Sequence, residues 1–387
     1  MKYDFDTITE RKNTGSLKWD LFETEIPMWV ADMDFLVAPE ITEALEKRVQ
    51  HGIFGYAVIP DEYYESYIKW WQKRHNLCMK KENMLFSIGV MPSISSIIRQ
   101  LTDENDKILI QTPVYHIFFK VIQDNNRQVI ENKLEYDGEK YWINFDDLES
   151  KLSQDDTKMM LLCNPHNPVG KIWTKEELQK IDELCKKHDV IIISDEIHCD
   201  LVNPDNKYIP FENVTDNHCN IITCLSPTKT FNIAGIQSSV IHIQNNELYE
   251  NIQRQLIIDD SSQINVFSIV ATITAFNECE EWLNQLNRYI FQNKMIVDEF
   301  LKNKIPSIKL VNSEATYLLW LDCTKLNIKS RELNDFLNDK MGVLFSPGIQ
   351  FGENGDNFLR MNIACPKKIL LESLDRLKEG INSLSNS

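Results

Sequence analysis

A chain of 387 residues exceeds the size at which a single hydrophobic core stops growing, so two domains are expected. Its 43% hydrophobic and 26% charged content is ordinary for a globular protein and excludes disorder of the bulk. The formal net charge of −17 and sequence pI of about 5.0 disfavour nucleic acid and anionic membranes as partners.

In chain order, residues 1–40 are irregular and rich in turn-formers; they are expected to pack on the rest of the protein without forming a domain of their own. From about residue 80 to 245, short apolar runs alternate with amphipathic helical stretches. Candidate strands are Met84–Phe86, Ile108–Gln111, Met159–Cys163, Val190–Ile193, Ile221–Leu225 and Ser239–Ile243. Several, such as Val190-Ile-Ile-Ile193, are apolar on both faces, as in a buried and largely parallel sheet. Thr174–His188 reads as a helix with acids early and lysines late, as the helix dipole favours. Alternating strands and helices predict a doubly wound α/β domain over residues 41–275. Beyond it, Glu280–Asn303 reads as a long helix and Ile308–Leu321 alternates like a strand. Helices over Ser330–Lys340 and Lys367–Ser383, with a strand between, complete a smaller α+β domain over 276–387.

The nine cysteines are odd in number and contain no C-x-x-C pair, so they read as reduced thiols of a cytosolic protein, with no zinc site or other metal site. Met1-Lys-Tyr-Asp-Phe-Asp6 does not read as a signal peptide, and no apolar run reaches the ~18 residues of a membrane span. Glycine is scarce, 12 residues in all, and eight of these fall in segments with other chemical features: Gly52, Gly55, Gly89, Gly170, Gly235, Gly348, Gly352 and Gly355.

Ligands of open α/β sheets sit at the carboxyl ends of the strands, so the residues after each strand matter most. They are Ser87-Ile-Gly-Val-Met-Pro-Ser93, Thr112-Pro-Val-Tyr115, Asn164-Pro-His-Asn-Pro-Val-Gly170, Ser194-Asp-Glu-Ile-His198 and Ser226-Pro-Thr-Lys229. Taken singly, each has an ordinary structural explanation: a solvated lysine, a helix-capping aspartate, a turn asparagine, a core tyrosine. Together they bring an amine, a carboxylate, an amide, an aromatic ring and a glycine-led helix start to one rim. Pyridoxal 5′-phosphate (PLP) needs this set: an amine for its Schiff base, a carboxylate for its pyridine nitrogen, an anion site for its phosphate and a flat surface for its ring.

The chain resembles fold-type I PLP enzymes of the class I/II aminotransferase superfamily, and within it the PatB/MalY-type cystathionine β-lyases, or C–S lyases. The resemblance runs from Pro27-Met-Trp-Val-Ala-Asp-Met-Asp-Phe35, through Ser226-Pro-Thr-Lys-Thr-Phe-Asn-Ile-Ala-Gly235, to Phe358-Leu-Arg-Met-Asn-Ile-Ala-Cys-Pro366. It implies that Lys229 carries PLP as a Schiff base and later moves the Cα proton. It implies that Asp195 pairs with the pyridine nitrogen, Asn167 binds the ring's 3′-oxygen and Tyr115 stacks on the ring. The Val90 and Met91 amides and the Ser226 hydroxyl would hold the phosphate, and Tyr56 would reach the phosphate of the partner subunit in a homodimer. Arg360 would clamp the substrate carboxylate, with Ala31, Asn167 and Tyr115 also lining the substrate site.

Two positions depart from the broad superfamily: His198 stands where many aminotransferases carry Tyr, and Gln237 where many carry Arg. Both are usual in the lyase branch. Gln237 leaves the phosphate without one expected cation, and His198 is either a modulator of the 3′-oxygen or a packed neighbour. The implied reaction is α,β-elimination of an amino-acid thioether to pyruvate, ammonia and a thiol, homocysteine in the case of cystathionine. An aminotransferase using the same Lys229 and a PLP-binding regulator with little catalysis are the alternatives.

Overall fold

The computed structural model describes residues 2–385. Seven strands form the central sheet in the spatial order Met84–Ser87, Ser239–His242, Ile221–Leu225, Ile191–Asp195, Thr157–Cys163, Lys107–Thr112 and Gln128–Lys133. All neighbours run parallel except Ser239–His242, which is antiparallel to the strands on both sides. This is the expected α/β class, and the sheet is mostly parallel as predicted. The central strands are buried on both faces because helices cover each side, which is why they read as unbroken apolar runs. Ile94, Ile97 and Ile98 of helix Val90–Leu101 pack on one face with Ile108, Ile110 and Ile193. Leu178, Ile181 and Leu184 of helix Lys175–Lys187 pack on the other. The latter helix starts where Thr174 predicts it: the Thr174 hydroxyl accepts from the Glu177 amide and the Glu177 carboxylate accepts from the Thr174 amide. Such a cap contributes about 1 kcal/mol.

A second, antiparallel sheet joins Lys309–Leu310, Leu318–Asp322, Phe358–Asn362 and Ser346–Pro347. Two expectations are corrected here. Gln128–Lys133 is a strand that the apolar pattern does not mark, because it is the half-exposed edge of the sheet. Ile308–Leu321 is two short strands, not one. Between them the chain leaves the sheet, and Glu314 and Ala315 donate to the Gly170 carbonyl. Gly170 has φ +71°, and a Cβ there would lie 2.3 Å from the Ser313 Oγ, so only glycine allows this close approach.

The N-terminal stretch is stitched to both parts. Ile26–Pro27 pairs in parallel with Val343–Leu344, and Met28 accepts from the Asn362 amide. On the other side Asn232, three residues after Lys229, bonds Met33 and Phe35 with its side-chain amide. Lys18 is fully buried and pairs with Asp34 at 2.6 Å; Arg11 and the Trp19 indole also donate to Asp34, at 2.9 and 2.8 Å. Burying these charges is tolerable only because they are paired and hydrogen-bonded. Among the described residues no helix is long and apolar enough to cross a membrane, and all nine cysteines are free thiols.

Candidate active site

Four strand ends of the central sheet and the N-terminal stretch converge on one site. Lys229 follows Ile221–Leu225, Asp195 ends Ile191–Asp195, Asn167 follows Thr157–Cys163 and Tyr115 follows Lys107–Thr112. Parallel neighbours place these ends on the same rim; Asp195 lies in register with Cys163 on one side and Cys224 on the other.

The Lys229 amine donates to the Ala31 carbonyl at 2.6 Å. Burial holds its pKa below the ordinary lysine value; Asp32 and Asp195 pull it back up and Arg360 pushes it further down. Asp195 is buried and accepts one hydrogen bond, from the Ile197 amide at 3.1 Å. Burial pushes its pKa up to about 7, against that bond and the Lys229 charge. A protonated ring nitrogen would supply the counter-charge this carboxylate lacks. His198 is buried, has no partner for Nδ1, and is held neutral at a pKa of about 3 by burial and by the Lys229 and Arg360 charges. It therefore cannot stand in for a missing cation. Its ring lies 6.2 Å from that of Tyr317.

Arg360 is 2% exposed, yet none of its hydrogen-bond partners is an acid. It donates to the Asn167 side-chain oxygen at 3.2 Å, the Trp29 carbonyl at 2.9 Å and the Ser346 hydroxyl at 3.4 Å, and its Nε is unpartnered. The guanidinium also lies over the Phe351 ring, 4.7 Å from its centre. Burial pulls its pKa down to about 10. A buried cation without an anion is a receptor for one.

A helix start and two hydroxyls supply further donors. Helix Val90–Leu101 begins after Gly89 with no side-chain cap, so its first-turn amides, those of Val90 and Met91, have no partner within the helix. The Ser226 hydroxyl donates to the Ser238 carbonyl at 2.7 Å and lies 2.7 Å from the Thr228 hydroxyl. Gln237 is exposed at φ +59°. Tyr115 is half-buried, with burial raising its pKa to about 12. These residues together offer what PLP requires: an amine, an unsatisfied carboxylate, a ring surface and amide donors.

Of the residues expected from sequence, Lys229, Asp195, Asn167, Tyr115, His198, Arg360 and Ala31 meet around this site. Tyr56 stands apart, fully solvent-exposed within the chain. Sequence reasoning missed the Trp29 carbonyl and Ser346, which hold Arg360, and Thr228 beside Ser226. The first is a backbone group and carries no residue-type signal. Thr228 lies within the Ser226–Gly235 segment, where its type alone does not set it apart from an ordinary turn threonine.

The chain is similar over its length to several characterised proteins. The family model for aminotransferase class I and II matches residues 25–377. Cystathionine beta-lyase PatB of Bacillus subtilis is 38% identical over 98% of this chain and 100% of its own. The crystal structure of cystalysin from Treponema denticola, which contains pyridoxal 5′-phosphate, superposes with a TM-score of 0.97 at 35% identity, covering 99% of this chain and 100% of its own. The PLP-bound C–S lyase from Staphylococcus hominis superposes with a TM-score of 0.93 at 33% identity over 98% of each chain. A site built on a strand-end lysine, in a chain matched along nearly all its length, places this protein in the class I and II aminotransferase family.

Proposed function

We propose that this chain is a PLP-dependent carbon–sulfur β-lyase that splits cystathionine and related cysteine S-conjugates into pyruvate, ammonia and a thiol. The observation that carries the reading is Arg360: a buried guanidinium without an acidic partner, which reaches from the second sheet to Asn167 on the rim that carries Lys229 and Asp195. Its bidentate geometry suits an amino-acid carboxylate. The lyase names of PatB and the Staphylococcus hominis protein support the branch within the family.

Lys229 would carry the cofactor, Asp195 would pair with its ring nitrogen, Asn167 and His198 would face its 3′-oxygen and Tyr115 would cover its ring. Val90, Met91 and Ser226, with Thr228 beside it, would hold the phosphate. When bound, PLP supplies an electron sink for the charge left at the substrate Cα. Arg360 grips the substrate carboxylate and so fixes which Cα bond faces Lys229. The Lys229 amine takes the Cα proton; burial keeps this amine below its ordinary pKa, which favours the neutral base. The thiolate leaves from Cβ, and water taken up later balances the release of pyruvate and ammonia. A thiol pKa near 8.5 makes the sulfur a fair leaving group without a dedicated acid.

We infer also that two copies share their sites. Tyr56 lies in a loop with Ile53, Phe54 and Val58, all strongly exposed in the single chain. This apolar stretch fits burial against a second copy, where Tyr56 would reach the neighbour's phosphate.

The decisive assay incubates holoenzyme with cystathionine and no keto acid. Stoichiometric pyruvate and homocysteine are expected. Turnover only after a keto acid is added would make the protein an aminotransferase.

A further inference from the structure

Phe351 ends the short turn Gly348–Phe351, which follows the edge strand of the second sheet and docks on the rim of the first. Its carbonyl accepts from the Val114 amide at 2.8 Å, and the Asn354 side chain donates to the Thr112 carbonyl at 2.8 Å. Gly352 has φ +128°, and a Cβ there would lie 2.9 Å from the Thr112 Cβ, so only glycine permits this approach. The Phe351 side chain is buried, and its ring meets three groups. The Arg360 guanidinium is 4.7 Å from its centre; Trp320 and His116 meet it edge to face at 5.4 and 5.6 Å. Trp320 lies directly opposite Arg360 across strands Leu318–Asp322 and Phe358–Asn362, so both side chains leave the same face of the second sheet. His116 follows Tyr115, the residue expected to cover the cofactor ring. Trp320 and His116 thus hold the Phe351 ring in place against Arg360.

A buried guanidinium needs its charge stabilised and its orientation held. An acid would do both, but it would occupy N–H groups and cancel the charge that attracts a carboxylate. An aromatic face stabilises the charge and occupies no N–H group. The three hydrogen bonds of Arg360 all go to neutral oxygens, and its Nε stays open. The ring therefore keeps Arg360 charged, unpaired by acid and oriented before a carboxylate arrives. A guanidinium released from it would sample other orientations, and the fraction ready to bind would fall.

We propose that Phe351 is a positioning residue of the carboxylate receptor, its ring holding Arg360 in the orientation that an amino-acid carboxylate engages. This deepens the lyase reading and rests on it for the substrate.

The test replaces Phe351 with Leu and, by nonsense suppression, with mono-, di- and trifluorinated phenylalanine. Fluorine weakens the negative face of the ring and nearly keeps its shape. With cystathionine as substrate, KM should rise stepwise with fluorine content to about 2- to 30-fold, while kcat changes by less than about twofold. Phe351→Leu should match or exceed the trifluorinated protein. Binding of L-alanine and of ethylamine, read from the absorbance of the bound cofactor, supplies a second arm. Alanine should weaken in parallel with KM, and ethylamine, which has no carboxylate, should not. A flat response to fluorine overturns the proposal, because the ring then only packs. Equal weakening of alanine and ethylamine overturns it too, because the cofactor site is then what changed. Cystathionine that yields no pyruvate in the wild type would remove the lyase reading, and the alanine and ethylamine arm would still decide the role of Phe351.

Discussion

Arg360 and Asn167 come from distant parts of the chain and meet at 3.2 Å, the guanidinium donating to the side-chain oxygen of the amide. The same amide is the expected partner of the cofactor ring, so one residue touches both the carboxylate receptor and the ring site. Arg360→Ala should accordingly raise KM strongly while leaving bound PLP in place. A buried charge-assisted pair is worth roughly 2–4 kcal/mol, so kcat/KM should fall about 30- to 1,000-fold. Steady-state kinetics, beside absorbance of the bound cofactor, separates the two effects; an unchanged kcat/KM would remove Arg360 from the site.

Lys229→Ala should abolish turnover. Borohydride reduction of the wild-type holoenzyme followed by peptide mapping should place the pyridoxyl adduct on Lys229, the residue that bonds the Ala31 carbonyl. An adduct on any other lysine contradicts the assignment.

Asp195 gives a pH prediction for the cofactor-free protein. Its folded pKa is about 7, against an ordinary value of 3.8, so the folded state holds a proton that the unfolded state has released. A group raised in this way costs stability as pH climbs from about 4 through 7. Asp195→Asn removes the titration. The melting temperature of the wild type relative to this variant should therefore fall between pH 5 and 8, measured without cofactor. PLP should reverse the trend, because a cationic ring nitrogen favours the ionised carboxylate. A pH-independent difference would show that the carboxylate is not protonated near neutrality.

Tyr56 is expected to act in the partner subunit. Mixing inactive Tyr56→Phe and Lys229→Ala subunits should then restore activity, because a mixed dimer has one site with both lesions and one intact site. If Tyr56 served its own subunit, mixing would restore nothing. The single lost hydrogen bond, about 1.5–3 kcal/mol to a charged phosphate, should impair Tyr56→Phe enough for the assay. Light scattering checks the premise, and a fully active monomer would end it.

The strand ends that place Lys229, Asp195, Asn167 and Tyr115 were legible because buried parallel strands are continuous apolar runs, and the residues just after such runs form the rim. The edge strand Gln128–Lys133 was not, since a half-exposed strand lacks that contrast. Ile308–Leu321 misled because it alternates; the backbone bonds of Glu314 and Ala315 go to Gly170, far away in sequence, and no local pattern encodes that. In the site, Arg360 was implied by the family resemblance of Phe358–Pro366, but the Trp29 carbonyl and Ser346 that orient it were not. Arg11, Lys18 and Trp19 lie in a stretch without periodicity, so their convergence on Asp32 and Asp34 became visible only in three dimensions.

The parallel pairing of Ile26–Pro27 with Val343–Leu344 has a consequence for biosynthesis. The segment that presents the Trp29 and Ala31 carbonyls to Arg360 and Lys229 is made before the central sheet, but its pairing strand and Arg360 itself follow the whole of that sheet. A ribosome-bound chain stopped before Val343 can hold its central sheet and still lack a completed site. Contacts of such long sequence separation form late because the loop they close is long. Cofactor capture on the ribosome should therefore lag behind sheet formation, and amino-terminal tags or trims that disturb Lys18 or Ile26 should act on the finished enzyme as if they were made at its centre.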